Sequence, residues 1–139
     1  MRIIGLDYGD SRIGVSVSDL LGITAQPVTV LWGKDWNDQI NKISDIAKEK
    51  GAESFVIGLP RNMNGTIGER AEKTRLFIEK LSEKTKMPVI EWDERLSTKY
   101  AHRTLEEGNV KCKNRKGILD KIAAVYILQG YLDSLERKL

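Results

Sequence analysis

Apolar and polar residues alternate with a period of two near the start of the chain, and this alternation predicts β-strands. Residues 2–8 form an apolar run, Ile13, Val15 and Val17 alternate with small residues over 12–18, and a third segment, 23–31, is rich in β-branched side chains. The connections between these segments are too short for crossovers between parallel strands, so we expect three antiparallel strands. Pro27 lies inside the third segment and predicts an edge position or a bulge there.

A helical period replaces the alternation after residue 38. Ile40, Ile43 and Ala47 recur at this spacing, and Gly51 follows where a helix would end. The remaining pattern predicts a strand at 54–59, a helix at 69–84, a strand at 88–93 and helices at 97–107 and 117–135. The expected fold class is α/β, a mixed sheet flanked by helices in the order βββαβαβα, with three antiparallel strands followed by parallel strands and the last α standing for both final helices. No repeat or linker divides the chain, so we expect one domain over residues 1–139.

The composition indicates a folded domain rather than a membrane or secreted protein. Hydrophobic residues make up 40% and charged residues 31% of the 139 positions, and no apolar run approaches the roughly 20 residues of a membrane span. Asp7 interrupts the first apolar run where a signal peptide would continue. Cys112 is the only cysteine, which excludes an internal disulfide. We therefore expect a cytoplasmic protein without a membrane partner.

Positive charge is concentrated in one segment of the chain. The net charge is only +3, from 23 Lys and Arg residues against 20 Asp and Glu residues, but residues 111–121 carry five cations and one anion. Lys113, Arg115 and Lys116 would meet a phosphate backbone if an acidic site lies nearby. A solvated, mobile loop is an equally good interpretation of this segment taken alone.

Carboxylates stand at three places that could converge. Asp7 ends an otherwise apolar strand and is followed by Gly9, although a capped turn explains this arrangement equally well. Asp93 and Glu94 end a later strand, and because strand side chains alternate, only one of them can face a given site. Asp120 is expected in the first turn of the last helix, where an acid often only complements the helix dipole.

Small side chains next to Asp120 favour convergence of these acids. Ala123 and Ala124 would let the helix lie close against the sheet, which brings Asp120 toward the strand ends. Carboxylates from two strand ends and one helix suggest a site for one or two Mg²⁺ or Mn²⁺ ions. Two such ions about 4 Å apart can activate a water and stabilise the leaving oxygen of a phosphodiester. The pattern therefore predicts a metal-dependent nuclease that acts on nucleic acid.

The aromatic and histidine residues give weaker signals. His102 is the only histidine, lies in a predicted helix and cannot form a histidine cluster. Trp32, Trp36 and Trp92 could stack on bases, but scattered tryptophans more often complete a small core.

Four ordered motifs also give the chain a family resemblance. The motifs are Gly5-Leu6-Asp7-Tyr8-Gly9 with Arg12-Ile13-Gly14, Gly58-Leu59-Pro60, Asp93-Glu94-Arg95-Leu96-Ser97-Thr98, and the segment Arg115 to Ala124. Together they resemble the YqgF family, also described as RuvX-type Holliday junction resolvases, over nearly the whole length. The resemblance implies a ribonuclease H-like fold, a bacterial cytoplasmic setting, and a nuclease that matures the 5′ end of pre-16S rRNA. Resolution of branched DNA is the older proposal for such proteins.

The resemblance also implies roles for individual residues. The catalytic and metal-binding acids would be Asp7, Glu94 and Asp120, and the substrate-binding cations would be Arg12, Arg95, Lys113, Arg115 and Lys116. Resolvases of related fold often supply a fourth carboxylate, and no second acid stands beside Asp120. Asp93 could supply it instead, which leaves the number of metal ions open.

Other classes of function remain open at this point. The domain could bind structured nucleic acid or ribosome precursors without cutting them. An actin-like phosphotransferase also begins with an Asp-x-Gly strand, but such proteins close two domains over a nucleotide, and 139 residues supply one. Cutting a branched junction requires a symmetric homodimer, whereas trimming an RNA end requires only a monomer. The sequence does not choose between pre-rRNA and branched DNA, because recognition depends on groove shape and 2′-hydroxyl contacts.

Overall fold

The computed structural model describes residues 2–59, 68–93 and 112–136, and in the last helix it describes the side chains of residues 122–135. In this part of the chain, five strands and three helices follow the expected order βββαβαβα. The strands are β1 (Arg2–Tyr8), β2 (Arg12–Ser18), β3 (Ala25–Trp32), β4 (Ala52–Leu59) and β5 (Val89–Asp93), and the helices are α1 (Trp36–Lys50), α2 (Glu69–Thr85) and α3 (Cys112–Glu136). The helix expected at 97–107, with His102, lies outside the described residues.

The five strands form one mixed sheet in the order β3-β2-β1-β4-β5. β1 pairs with β2, and β2 with β3, in antiparallel fashion, whereas β4 runs parallel to both β1 and β5. The expected fold class is confirmed. Both expectations for Pro27 are also confirmed, because β3 is an edge strand and the register shifts between Val15 and Ser16, where Ser16 pairs with Pro27.

One face of the sheet is covered by α1 and α2 and contains the larger core. Phe77 of α2 is fully buried there, with its ring centroid 4.9 Å from that of Tyr8 and 5.6 Å from that of Trp36. The indole N–H of Trp36 also donates to the Tyr8 hydroxyl at 3.1 Å. The buried residues of this cluster are Ile4, Leu6, Tyr8, Ile13, Val15, Val17, Ile40, Ile43, Ala47, Phe55, Ile57, Phe77 and Leu81.

The other face is covered by α3, and the side chains described there form a smaller apolar cluster. Val56 packs there against Ile127, Leu128 and Leu132, all of them buried. Ala123 and Ala124 are buried too, which confirms the expectation that small side chains let this helix lie against the sheet. Because successive side chains of a strand point to opposite faces, Gly5 and Asp7 belong to the α3 face, and Leu6 and Tyr8 to the other.

The ends of two helices differ from the sequence expectation. α1 begins at Trp36 because the Asp35 carboxylate caps it, accepting from the N–H groups of Asn37 and Asp38. α3 begins at Cys112 rather than at residue 117, so the backbone of the basic segment is helical. The interpretation of that segment as a loop is therefore wrong for Lys113, Arg115 and Lys116. None of the described helices is long and apolar enough to cross a membrane.

Candidate active site

Asp7 lies on the central strand, and its neighbours on both adjoining strands are glycines. On β2, Asp7 pairs with Gly14. On β4, Leu6 pairs with Ile57, and Gly58 is the next residue. Alternation places both glycines on the α3 face with Asp7. The carboxylate therefore has a neighbour without a side chain on each adjoining strand. Asp7 is half-buried, and its neighbours on β2 and β4 place no side-chain atoms beside it.

α3 lies close to the sheet at Gly5, which is the residue before Asp7 on the same face of β1. A Cβ atom added to Gly5 would lie 2.7 Å from Leu128 Cβ and 3.0 Å from the Ala124 carbonyl oxygen, so a larger residue does not fit there. The Ser16 hydroxyl donates to the same carbonyl at 2.7 Å and fixes the helix on the sheet. The sequence analysis missed this role of Ser16, and only the unusual row of small residues on the inner strands hints at it.

The direction of α3 follows from its contacts along the sheet. Ile3 packs in the cluster that contains Leu132, whereas Gly5 meets Leu128 and Ala124. The helix therefore runs antiparallel to β1, and its residues before Ala124 extend toward the Asp7 end of the sheet. Asp120 precedes Ala124 by one helical turn, a rise of about 6 Å. It lies about two turns after the helix start, so the expectation that it occupies the first turn is wrong.

Alternation along β5 fixes the face on which Asp93 lies. Trp92 lies on the α3 face, where a Cβ added to Gly130 would be 3.1 Å from its ring. Glu91 forms an ion pair with Arg75 of α2, 3.4 Å from Glu91 Oε1 to Arg75 Nε, and Asp93 shares its face by alternation. Asp93 thus lies on the face opposite Asp7, which argues against the suggestion that it supplies a fourth carboxylate to the site.

A cation and an aromatic ring flank Asp7 on the side of β2 and β3. Arg12 begins β2 on the α3 face, two residues before Gly14, and is paired with Trp32 at the end of β3. The guanidinium carbon of Arg12 is 5.8 Å from the centroid of the Trp32 ring, a cation–π contact. Trp32 is 59% exposed, so the suggestion that the tryptophans complete the core is wrong for this one.

The turn after β1 carries a second carboxylate with a different role. Asp10 is exposed and accepts a hydrogen bond from the Lys73 ammonium at 3.1 Å, which lowers the pKa of Asp10 and raises the pKa of Lys73. A cleft of about 600 Å³ beside this pair is also lined by Lys34, Asp35 and Trp36. Among the described residues that line the cleft, two lysines are balanced by two aspartates.

The described residues contain only part of the expected metal site. No three His, Cys, Asp or Glu side chains among them are grouped closely enough to hold a metal ion. Asp7 fits one ligand position, because a carboxylate oxygen above glycines suits a hard divalent cation. Glu94 and Arg95 lie outside the described residues, and the side chains of Asp120, Lys113, Arg115 and Lys116 do too.

Comparison with known families settles which proteins this chain is related to. The family model described as "RuvX: Holliday junction resolvase" matches residues 1–134. The chain belongs to the RuvX family. A protein of Clostridium novyi named "Putative pre-16S rRNA nuclease" is 52% identical over 135 residues, which cover 97% of this chain and 100% of the relative. A protein of the same name from Acetivibrio thermocellus is 50% identical over 136 residues, 96% of each chain.

Solved structures resemble this RuvX-family chain in fold. Thermus thermophilus RuvC in complex with Holliday junction substrate gives a TM-score of 0.62 at 12% identity, over 99% of this chain and 96% of that one. The fowlpox virus Holliday junction resolvase gives 0.58 at 14% identity, over 97% and 99%. These likenesses confirm the ribonuclease H-like fold. At such low identity they carry no information on individual residues.

Proposed function

We propose that this RuvX-family chain is a metal-dependent nuclease of the bacterial cytoplasm that hydrolyses phosphodiester bonds in 5′-end processing of pre-16S rRNA. The observation that carries the proposal is the direction of α3, which runs antiparallel to β1 and extends past Gly5 toward Asp7. It directs Asp120 toward the one half-buried carboxylate on the α3 face of β1. The names of relatives at about 50% identity, aligned over nearly their whole length, support the same activity.

The third acid of the proposed site is Glu94. Trp92 lies on the α3 face and Asp93 on the other, so the residue after Asp93 belongs to the α3 face if the alternation of β5 continues. β5 is two strands away from β1, a separation of roughly 10 Å at the usual strand spacing. A long glutamate side chain suits this gap better than a second aspartate would.

Each group in the proposed site has a distinct task. Asp7, Glu94 and Asp120 hold one or two Mg²⁺ or Mn²⁺ ions, which when bound supply an activated water and stabilise the leaving oxygen. Arg12, beside Asp7, binds a phosphate of the substrate strand, and Arg95 extends this contact. Lys113, Arg115 and Lys116 lie on the turns of α3 that precede Asp120, where they meet the backbone further along.

The direct test offers the chain two substrates and varies the metal. One substrate is a pre-16S rRNA 5′ leader and the other a four-way DNA junction, each incubated with Mg²⁺, Mn²⁺ or a chelator. We expect cleavage of the RNA at a defined position with either metal and no product with chelator. Cleavage of the junction alone would assign the resolvase activity instead. Binding without cleavage under every condition would contradict the proposal and leave a binding domain.

The same samples decide the oligomeric state that each activity needs. Symmetric cutting of a junction takes two sites related by a two-fold axis, whereas one site is enough to trim an RNA end. Sedimentation at the assay concentration should therefore give a monomer that is active on RNA. Activity that appears only in a dimer fraction would favour the junction.

A further inference from the structure

Trp32 is a large aromatic side chain whose position neither the fold nor the proposed chemistry explains. It ends the edge strand β3 and is 59% exposed, whereas Trp36 and Trp92 pack in the two cores. Single exposed apolar residues are common on protein surfaces, so the exposure of Trp32 gains meaning only from its neighbours.

The register of the sheet places this ring near Asp7. Arg12 pairs with Trp32, and Gly14, two residues after Arg12, pairs with Asp7. With a strand spacing of about 4.8 Å and a rise of about 3.3 Å per residue, the Cα atoms of Trp32 and Asp7 are roughly 12 Å apart. The ring, the guanidinium of Arg12 and the Asp7 carboxylate thus follow one another across the α3 face. A substrate strand whose phosphate lies at Asp7 reaches Trp32 within a few nucleotides.

The Trp32 ring contacts a cation, and the backbone of the next residue is hydrogen-bonded to the turn after β1. Arg12 stands 5.8 Å from its centroid, so a cation covers part of the ring while more than half of the side chain stays accessible. Just beyond the ring, the Gly33 N–H donates to the Ser11 carbonyl at 2.9 Å, which ties the end of β3 to the turn after β1. An accessible aromatic surface next to a cation suits the flat face of a nucleobase.

We infer that Trp32, backed by Arg12, is a stacking platform for an unpaired base of the substrate strand, a few nucleotides from the phosphate at Asp7. The inference rests on the proposed nuclease function and specifies its substrate as a strand that is single-stranded at this point. Bases inside a duplex are already stacked on their neighbours, and only an unpaired or terminal base offers a free face.

The test compares two short labelled RNA strands of equal length. One carries normal bases, and the other carries abasic sites in place of several of them, so the phosphate charge is identical. Binding is measured by fluorescence anisotropy in Ca²⁺, which accepts carboxylate oxygens. Stacking of one base on an aromatic side chain changes affinity by about fivefold or more, so the wild-type chain should bind the normal strand at least fivefold more tightly.

The variants assign this preference to the ring. Trp32→Ala should weaken binding of the normal strand to the level of the abasic strand and leave abasic binding unchanged, and Trp32→Phe should keep most of the preference. Leu76→Ala is the matched control, because Leu76 is 55% exposed on α2, away from the α3 face. Thermal unfolding of every variant checks that it folds.

Each outcome decides the inference. It is overturned if Trp32→Ala binds both strands as wild type does, if it weakens both equally, if the wild-type chain binds neither strand, or if the substitution changes only self-association. The nuclease proposal fails separately. If the chain discriminates between the strands but cleaves no substrate with Mg²⁺, the nuclease proposal is refuted and the stacking inference stands. If it cleaves the RNA without discriminating between the strands, the stacking inference is refuted and the nuclease proposal stands.

Discussion

The two faces of the sheet are built from alternate residues of the same strands, yet they differ in the size and packing of their side chains. The face under α1 and α2 is filled by large side chains, with Tyr8, Trp36 and Phe77 in mutual contact. The α3 face holds Gly5, Gly14 and Ser16 on β1 and β2, and among the described side chains its main apolar cluster has four buried members. The small residues bring the helix close to the sheet at Gly5.

This difference shows how a small domain divides its tasks. Burial of aromatic and branched side chains stabilises one face, so the other face can hold a half-buried carboxylate and glycines that contribute little to the core. A substitution should therefore change either stability or activity according to the face it lies on. The predictions below test that division in order of decreasing effect.

The largest effect on stability is expected at Phe77, the centre of the aromatic cluster. Phe77→Ala should lower the free energy of unfolding by about 3–5 kcal/mol, because it leaves a cavity between Tyr8 and Trp36. Cleavage per folded molecule should change little, since the substitution lies on the face opposite Asp7. Urea titration gives the first quantity and cleavage rates at low temperature the second. A folded variant without activity would contradict the division between the faces.

Neighbouring acids at the end of β5 provide the next test. Glu94→Gln should lower the cleavage rate by roughly 100-fold, a loss typical of removing an electrostatic group from a catalytic site. Asp93→Asn should lower it by less than about tenfold, because Asp93 lies on the α2 face. Single-turnover cleavage of the two variants is the measurement. A larger loss for Asp93→Asn would reverse the assignment of the faces.

Much of this architecture could be predicted from the sequence, because hydrophobic periodicity determined it. β1 and β2 have the expected bounds, Gly51 ends α1 with a φ of 66°, and α2 is one residue longer than expected. β3 begins two residues later than expected because Asp19 holds residues 19–24 in a turn, accepting from the Ile23 N–H and the Thr24 hydroxyl. Periodicity does not report such side-chain bonds.

The site was less predictable, for two physical reasons. The expected start of α3 is too late because Gly117 resembles a helix boundary, whereas the basic residues before it have good helix propensity and continue the helix to Cys112. The resemblance selects Glu94 over Asp93, and the Trp92–Gly130 contact adds only that Asp93 lies on the face opposite Asp7. Asp7 and Asp120 could be selected from sequence by the family motifs that contain them, because a capped turn or a helix dipole explains either acid taken alone. Their role in metal binding stays a prediction.

A smaller effect is expected where α3 meets the sheet. Gly5→Ala should cost about 1–3 kcal/mol of stability, because the added methyl group would overlap the Ser16 hydroxyl and Leu128. Cleavage should fall as well, since the helix that carries Asp120 is pushed away. Gly130→Ala is the graded control, because the three atoms nearest to its new methyl group all belong to the Trp92 ring and lie farther away, at 3.1–3.3 Å. Equal activity in the two variants would show that helix position is unimportant.

The smallest effect should appear at the turn between β2 and β3. Hydrogen bonds from the Ile23 N–H and the Thr24 hydroxyl lower the pKa of Asp19 from its ordinary value of 3.8. The carboxylate therefore stabilises the folded state above that pH, and this contribution is lost as the pH falls through the lower folded pKa. Wild type should have a higher melting temperature than Asp19→Asn at neutral pH, and the difference should shrink below about pH 4. A constant difference would contradict the assigned pKa.

The most direct test compares Asp7→Asn with Asp10→Asn. Both substitutions replace one carboxylate by an amide near the end of β1, but Asp7 lies half-buried on the α3 face and Asp10 is exposed in an ion pair with Lys73. Cleavage of the pre-16S leader with Mg²⁺ should fall by roughly 100-fold or more for Asp7→Asn and stay within about threefold of wild type for Asp10→Asn. Undiminished cleavage by Asp7→Asn would contradict the account.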